Sequence, residues 1–146
     1  MPSAKRRLPL LPTSDAATDP PRPRWQWVAF GTLGIFVAWL PLQEILSAVA
    51  ARAAISSAVA AAAALAIASF CGGFLLGRWG SAGVGARDAA LAGLLAAAAA
   101  AALGWWTLGG GAVLLYASAG VAAIAVPMAA LGGTLGLRRR AQGHAS

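Results

Sequence analysis

Charged, acidic and metal-binding side chains are scarce in this sequence. Charged residues make up 10% of the 146 residues, against about 25% in soluble domains, and only four of them are acidic. One cysteine, Cys71, and one histidine, His144, exclude an intrachain disulfide and provide too few ligands for a metal cluster. The sequence also pairs no nucleophile with a base. We therefore expect no catalytic residue, no metal and no cofactor, and we predict that the protein is not an enzyme.

Apolar and basic side chains are abundant instead. Hydrophobic residues account for 60% of the chain, and the mean hydropathy is +0.74. So few charges cannot cover the surface of a soluble domain, which indicates lipid as the solvent. The net charge is +7, but the basic residues stand at the ends of apolar runs, as in membrane topology signals rather than nucleic-acid sites. The expected contacts are membrane lipids, including anionic headgroups, and no nucleic acid.

Four apolar runs organise the chain. Residues 1–24 hold six of the eight prolines, which predicts a disordered basic tail. Transmembrane spans are predicted at about 25–42, 54–77, 89–108 and 112–137, followed by a short basic tail at 138–146. The fold class is therefore all-α: a polytopic membrane protein whose four transmembrane helices pack as two antiparallel hairpins.

The breaks between these runs are short. Residues 43–53 are predicted to form an outer connection that is helical and lies partly in the interface. The stretch 80–85 is too rich in glycine for stable helix. Asp88 is placed to accept hydrogen bonds from the backbone at the start of the third helix, where its charge also suits the helix dipole. Gly109–Gly111 is long enough only for a tight turn, so the last two helices should form a hairpin.

The first span has an alternative interpretation as a cleaved signal peptide. Basic residues precede a short apolar core, and Ala48–Ala50 resembles a small-residue cleavage site. The long proline-rich segment in front of it and the further spans behind it favour an uncut first helix.

The distribution of basic residues predicts the orientation. With the N-terminus in the cytoplasm, ten of the eleven basic residues face the cytoplasm, and only Arg52 lies outside. Ten of the eleven are arginine in a chain rich in alanine and glycine, which is typical of a high-GC bacterium. We expect a multi-pass protein of the bacterial inner membrane with both termini cytoplasmic. Its inner-face candidates for topology or lipid contact are Arg78, Arg87, Arg138, Arg139 and Arg140, and its six tryptophans would mark the two interfaces.

Small residues at helical spacing predict where helices approach closely, because lipid provides little hydrophobic drive between them. Pairs and triplets at i, i+4 fall in the inner halves of three spans: Ser69, Gly73, Gly77, Ala89, Gly93, Gly132 and Gly136. Pro127 removes one backbone hydrogen bond from the fourth span and should kink it.

A possible internal repeat accompanies this pattern. The segments 72–78 and 132–138 both read GGxLxxR, 60 residues apart. One interpretation is duplication of a two-helix hairpin about an axis along the membrane normal. The other, which we favour, is that any helix ending at this face finishes in small residues and an arginine, since spans one and three share no pattern.

The GGFLLGR exit, the short glycine-rich turn and the acidic residue before AALAGLL resemble small four-span bacterial membrane proteins of uncharacterised function. The resemblance covers residues 69–95 and implies topology, with no catalytic or binding residue to transfer.

Three hypotheses about function are consistent with the sequence. The first is an accessory or structural subunit that packs against other membrane helices. The second is a small oligomeric pore or transporter, and the third, ranked below these, is a holin-like protein. Glu44 lies too near the outer boundary to act as the buried carboxylate of a proton-coupled exporter.

Overall fold

The structure is a computed structural model that describes residues 23–81, 83–108 and 111–143. Within these ranges the chain forms four helices and no strand: α1 (Arg24–Arg52), α2 (Ser57–Trp79), α3 (Ala86–Leu108) and α4 (Ala112–Gly143). Each contains a stretch long and apolar enough to cross a membrane. The prediction of an all-α chain with four membrane-length helices is thereby confirmed. The predicted tail up to residue 22, residues 109 and 110 of the last turn, and His144 lie outside the described residues.

α1 is one helix of 29 residues, about 44 Å long at 1.5 Å per residue. It continues through Pro41 and includes most of the predicted outer connection. A Schellman motif ends it: the Ile55 backbone N–H donates to the Ala50 carbonyl at 2.9 Å, and Ala54 has a φ of 54°. Ala54 thus occupies a left-handed position that glycine usually takes, at a cost of about 1 kcal/mol.

Side-chain caps start the next two helices. The Ser56 hydroxyl accepts from the Val59 backbone N–H at 3.4 Å at the start of α2. At the start of α3, Asp88 Oδ2 accepts from the Gly85 backbone N–H at 2.8 Å. The prediction that Asp88 accepts a hydrogen bond from the backbone at the start of this helix is confirmed, but Asp88 does not occupy the cap position itself, which the predicted start at residue 89 had assigned to it. The helix begins at Ala86, so Asp88 is its third residue and reaches back to satisfy the cap, as the acidic member of a capping box does.

α4 extends past the predicted end of the fourth span. It continues to Gly143 and carries Arg138, Arg139 and Arg140 on its last turns. It is helical on both sides of Pro127, and the kink expected there stays a prediction. Because Arg140 lies within the helix, the helical backbone fixes its position relative to the rest of α4. The contacts of Arg140 at the basic end of the molecule, described below, depend on this position.

The helices pack with α1 beside α2, α2 beside α4, and α4 beside α3, while α1 also contacts α3 and α2 contacts α3. Within the described residues the backbones of α1 and α4 do not approach each other. The main buried cluster is built largely of small side chains: Val28, Ile35, Ala68, Leu76, Val84, Ala89, Ala92 and Ala96. α1 is the most peripheral helix, since 11% of its most apolar window is buried, against 44% for α2.

Candidate functional site

The closest helix contact lies between α2 and α4, and we call it the glycine seam. Its members are Gly73 and Gly77 on α2 and Gly132 and Gly136 on α4. At each of them an added Cβ atom would collide with a backbone carbonyl of the other helix, belonging in turn to Ala129, Gly133, Phe70 and Phe74. The two backbones therefore touch directly, which is the arrangement that small residues permit between helices in lipid.

The contacts of the glycine seam are reciprocal. Gly73 faces Ala129, while Gly132 faces Phe70. Adding 59 to the α2 residue of the first contact and subtracting 59 from its α4 residue gives the second contact. The Gly77 and Gly136 contacts are related in the same way. The contact positions rise together along both helices, so α2 and α4 run in the same direction. The glycine Cα hydrogens point at the facing carbonyl oxygens, and such Cα–H···O contacts contribute about 0.5–1 kcal/mol each.

The remaining predicted packing residues lie beside the glycine seam. Ser69 and Ala89 expose none of their surface. A Cβ on Gly93 would lie 2.8 Å from the Ala125 carbonyl oxygen, and one on Gly133 would lie 2.7 Å from Ala89 Cβ. α3 therefore reaches α4 through alanines and one glycine. All seven residues that small-residue spacing singled out are buried: Ser69, Gly73, Gly77, Ala89, Gly93, Gly132 and Gly136.

A side-chain hydrogen bond joins α1 to α3. The Thr32 hydroxyl lies 2.9 Å from the Val28 carbonyl oxygen of its own helix and 3.2 Å from the Ala92 carbonyl oxygen of α3. Next to it, an added Cβ on Gly31 would lie 3.0 Å from Ala92 Cβ. Polar contacts between helices in lipid contribute about 1 kcal/mol or less each. We therefore expect Thr32 to set the position of α1 against α3 while adding little to the stability of their contact.

The tryptophans fall into two groups. Four are exposed: Trp25, Trp79, Trp105 and Trp106. Trp27 and Trp39 are half-buried, and the Trp39 ring meets Phe36 edge-on with centroids 5.9 Å apart. The Nε1 atoms of Trp27 and Trp39 are buried without a hydrogen-bond partner among the described residues. Packing between helices therefore contributes to the positions of Trp27 and Trp39, in addition to the interfacial role predicted for all six.

The arginines predicted for the inner face gather where α2 and α4 end and α3 begins, and we call this region the basic end. Arg140 Nη1 donates to the Gly80 carbonyl at 2.5 Å and lies 3.5 Å from the Ser81 carbonyl oxygen. This contact fastens the last turns of α4 to the connection between α2 and α3. The other four members are exposed: Arg78, Arg87, Arg138 and Arg139.

The described interior is apolar. Ser69 is the buried polar side chain in that part of the chain, and its hydroxyl has no partner there. No group of three or more His, Cys, Asp or Glu side chains comes together among the described residues. Glu44 is exposed on the last turns of α1, and Cys71 is exposed on α2. Within these residues the arrangement suits packing and anchoring, because no row of polar side chains crosses the bundle.

Sequence reasoning missed three structural roles, those of Thr32, Ser56 and Arg140, although Arg140 itself was among the inner-face candidates. Thr32 is a lone hydroxyl in an apolar run, which is the available signal for an interhelical hydrogen bond. Ser56 directly precedes an apolar run, as helix caps do. Nothing in the sequence separates Arg140 from Arg138 and Arg139, because the distinction depends on which face of α4 meets the α2–α3 connection. Comparison with family models, curated proteins and solved structures finds no match for this chain.

Proposed function

We propose that this chain is a multi-pass protein of the bacterial cytoplasmic membrane, with its helices inserted as two antiparallel hairpins and both termini in the cytoplasm. The contacts between α1 and α2 support the first hairpin: Gly31 meets Leu76 and Gly72 meets Ile35, so positions fall on one helix as they rise on the other. The contacts of Gly93 with Ala125 and of Gly133 with Ala89 support the second hairpin in the same way. The ten-to-one distribution of basic residues supports the orientation.

Within that membrane the proposed role is non-enzymatic: an accessory or structural subunit that packs against the helices of a partner. The observation that carries this proposal is the closed, apolar packing of α2, α3 and α4, whose glycines contact backbone directly. An interior filled in this way leaves the described part of one copy without a polar route for protons, ions or solutes. The exterior is then the surface on which the protein acts.

The partner is expected on the α1 side. The glycines of the glycine seam, together with Gly93 and Gly133, are already engaged within the chain. Gly34 on α1 and Gly120 on α4 have nothing within 4 Å of the missing side chain, and of these two Gly34 is the one that lines a groove. Gly34 lies in a groove of about 160 Å³ between α1 and α2, beside Phe30 and Leu75. An open glycine in such a groove permits close approach of another helix. The low burial of α1 agrees with a helix that completes its packing elsewhere.

Purification from the native membrane in mild detergent, followed by native mass spectrometry, tests the proposal. We expect a stoichiometric membrane partner that is lost in Gly34→Leu and kept in Gly120→Leu. Both glycines have open space around them, so both variants should fold, and only the first should block docking. The intact mass also reports whether α1 is cleaved near Ala50.

Other outcomes would redirect the proposal. A homo-oligomer that passes ions in liposomes would favour the hypothesis of an oligomeric pore over that of an accessory subunit. The ion route would then run between copies of the chain. Cell lysis at a set time after induction would instead favour the holin-like hypothesis. A reporter enzyme that works only outside the cytoplasm can be fused after Ser146. Activity of this fusion would contradict the proposed orientation.

A further inference from the structure

We infer that the basic end contains a binding site for the phosphate group of an anionic phospholipid, formed between the last turns of α2 and α4. The inference rests on the proposed function, because it needs this end of the bundle to lie at the level of the lipid headgroups. It goes further by naming one ligand chemistry and the side chains that bind it. The site consists of Arg78, Arg139 and Gln142, with Phe74 on its membrane side.

A groove with these walls is present in the structure. It has a volume of about 570 Å³ and is lined by Phe74 and Arg78 of α2 and by Arg139, Gln142 and Gly143 of α4. Binding sites for small molecules commonly measure about 300–1,000 Å³, so a phosphate with its glycerol fits. The groove joins a half-buried aromatic ring to two exposed guanidinium groups. That polarity matches a phospholipid, whose phosphate is followed by apolar chains.

Two features fix the helix ends that carry the arginines before any ligand binds. The glycine seam brings the helix ends together, since an added Cβ on Gly136 would lie 2.8 Å from the Arg78 backbone nitrogen. Arg140 fastens α4 to the Gly80 carbonyl, which fixes the turn that carries Arg139. Arg140 is thereby a positioning residue whose guanidinium contacts the backbone, while Arg78 and Arg139 face the groove.

The charge in the groove favours an anion. No carboxylate lines it among the described residues, and Asp88, the acidic residue at the start of α3, has an oxygen on the Gly85 backbone N–H. Guanidinium groups present forked donors that bind phosphate oxygens two at a time. The Gln142 amide adds a further donor. A zwitterionic lipid also has a phosphate, but its ammonium group would be repelled by the second arginine.

The test measures lipid binding to the full-length protein by native mass spectrometry with phosphatidylglycerol and phosphatidylethanolamine. The site variant is Arg78→Gln/Arg139→Gln. The matched control, Arg87→Gln/Arg138→Gln, removes the same number of charges from the same end but touches no wall of the groove. Phosphatidylglycerol affinity should fall about tenfold or more in the site variant, because both arginines that line the groove lose their contacts with the phosphate. It should fall about threefold or less in the control, because Arg87 and Arg138 lie outside the groove and act only through overall charge.

Each alternative result overturns the site. Equal losses in the two variants would mean that only overall charge attracts the lipid. Equal binding of the two lipids by the wild-type protein would exclude an anion-selective site. Displacement of the lipid by millimolar glycerol phosphate or inorganic phosphate would assign the groove to a soluble anion. If the site variant does not fold, the same lipid binding is measured with Arg78→Lys/Arg139→Lys. This variant keeps both charges but lacks the forked guanidinium donors, so its preference for phosphatidylglycerol should fall to about half or less.

Failure of the site and failure of the proposed function are distinguishable. Lipid selectivity in detergent does not depend on the orientation of the protein in the cell or on its partner. A cytoplasmic reporter signal together with equal lipid binding by both variants would overturn the site alone. An extracytoplasmic reporter signal would overturn the proposed topology while selective binding at Arg78 and Arg139 still stood.

Discussion

Replacing Gly73 by alanine tests the glycine seam most directly. The added methyl group would overlap the Ala129 carbonyl oxygen and would lie 2.8 Å from its carbonyl carbon and 2.9 Å from its Cα. These atoms belong to the backbone of α4, so no side-chain rotation can move them away. Ordinary contact between carbon atoms requires about 3.5–4.0 Å, and the two helices must therefore separate by about 1 Å.

The separation has two costs. Overpacking a well-packed contact typically destabilises by about 1–3 kcal/mol. A wider seam also weakens the reciprocal Cα–H···O contacts, which contribute about 0.5–1 kcal/mol each. Together these predict a loss of about 3 kcal/mol in the free energy of unfolding, or a change of about 100-fold in the ratio of folded to unfolded protein.

Unfolding in mixed micelles of a mild detergent and dodecyl sulfate, followed by tryptophan fluorescence, measures this change. Gly120→Ala is the control, because it places the same methyl group on α4 where nothing lies within 4 Å. We expect the control to raise stability by up to about 1 kcal/mol, because alanine favours the helix and restricts the unfolded chain more than glycine does. Equal midpoints for Gly73→Ala and Gly120→Ala would refute the close approach of α2 and α4.

Further perturbations probe single contacts, two of them in the same unfolding assay and the third by amide hydrogen exchange. Ala54→Gly should raise stability by about 1 kcal/mol by relieving left-handed strain, and an unchanged midpoint would contradict the Schellman end of α1. Thr32→Val should cost about 0.6 kcal/mol, whereas Thr134→Val, whose hydroxyl bonds within α4, should cost less; equal losses would argue against the bond to α3. Arg140→Gln should speed amide hydrogen exchange in the α2–α3 connection, because it removes the contact with the Gly80 carbonyl. The same acceleration in Arg138→Gln would show that the effect is not specific to that contact.

Much of the fold could be predicted because helices long and apolar enough to cross a membrane follow simple rules of composition. A membrane-length helix must be apolar along some 20 residues, and four such runs are visible beside their glycine-rich breaks. Asp88 could be assigned to the start of α3 because a carboxylate there meets orphan backbone donors. Small-residue spacing also selected buried positions, such as Gly73 and Gly132, since only small side chains allow backbones to approach.

The rest depends on contacts between distant segments. Spacing identifies Gly73 as a packing residue but does not say that its partner is Ala129 on α4, since any small-residue face fits any other. The extension of α4 to Gly143 was hidden because arginines and glutamine are good helix formers that also suit a polar tail. The groove at the basic end combines Phe74 with Gln142, and residues so far apart become neighbours only once the glycine seam has set the register.

The repeated GGxLxxR motif can now be judged by geometry. Duplication about an axis along the membrane normal would relate α1 to α3 and α2 to α4, so contact between α2 and α3 would require equal contact between α4 and α1. The structure has the first contact, while the backbones of α1 and α4 stay apart within the described residues.

The symmetry is therefore local to the glycine seam. Residues with equivalent backbone contacts on α2 and α4 differ by 59 in number, as Gly73 and Gly132 do. The GGxLxxR motif, in contrast, repeats after 60 residues. A duplicated hairpin would give one offset for both. Two parallel helices that meet at their glycines need the same small residues facing each other. In the proposed topology both helices also end at the cytoplasmic face, which favours an arginine at each end. These requirements explain the motif on α2 and α4 and its lack of a counterpart on α1 and α3, which meet instead at Thr32 and Ala92.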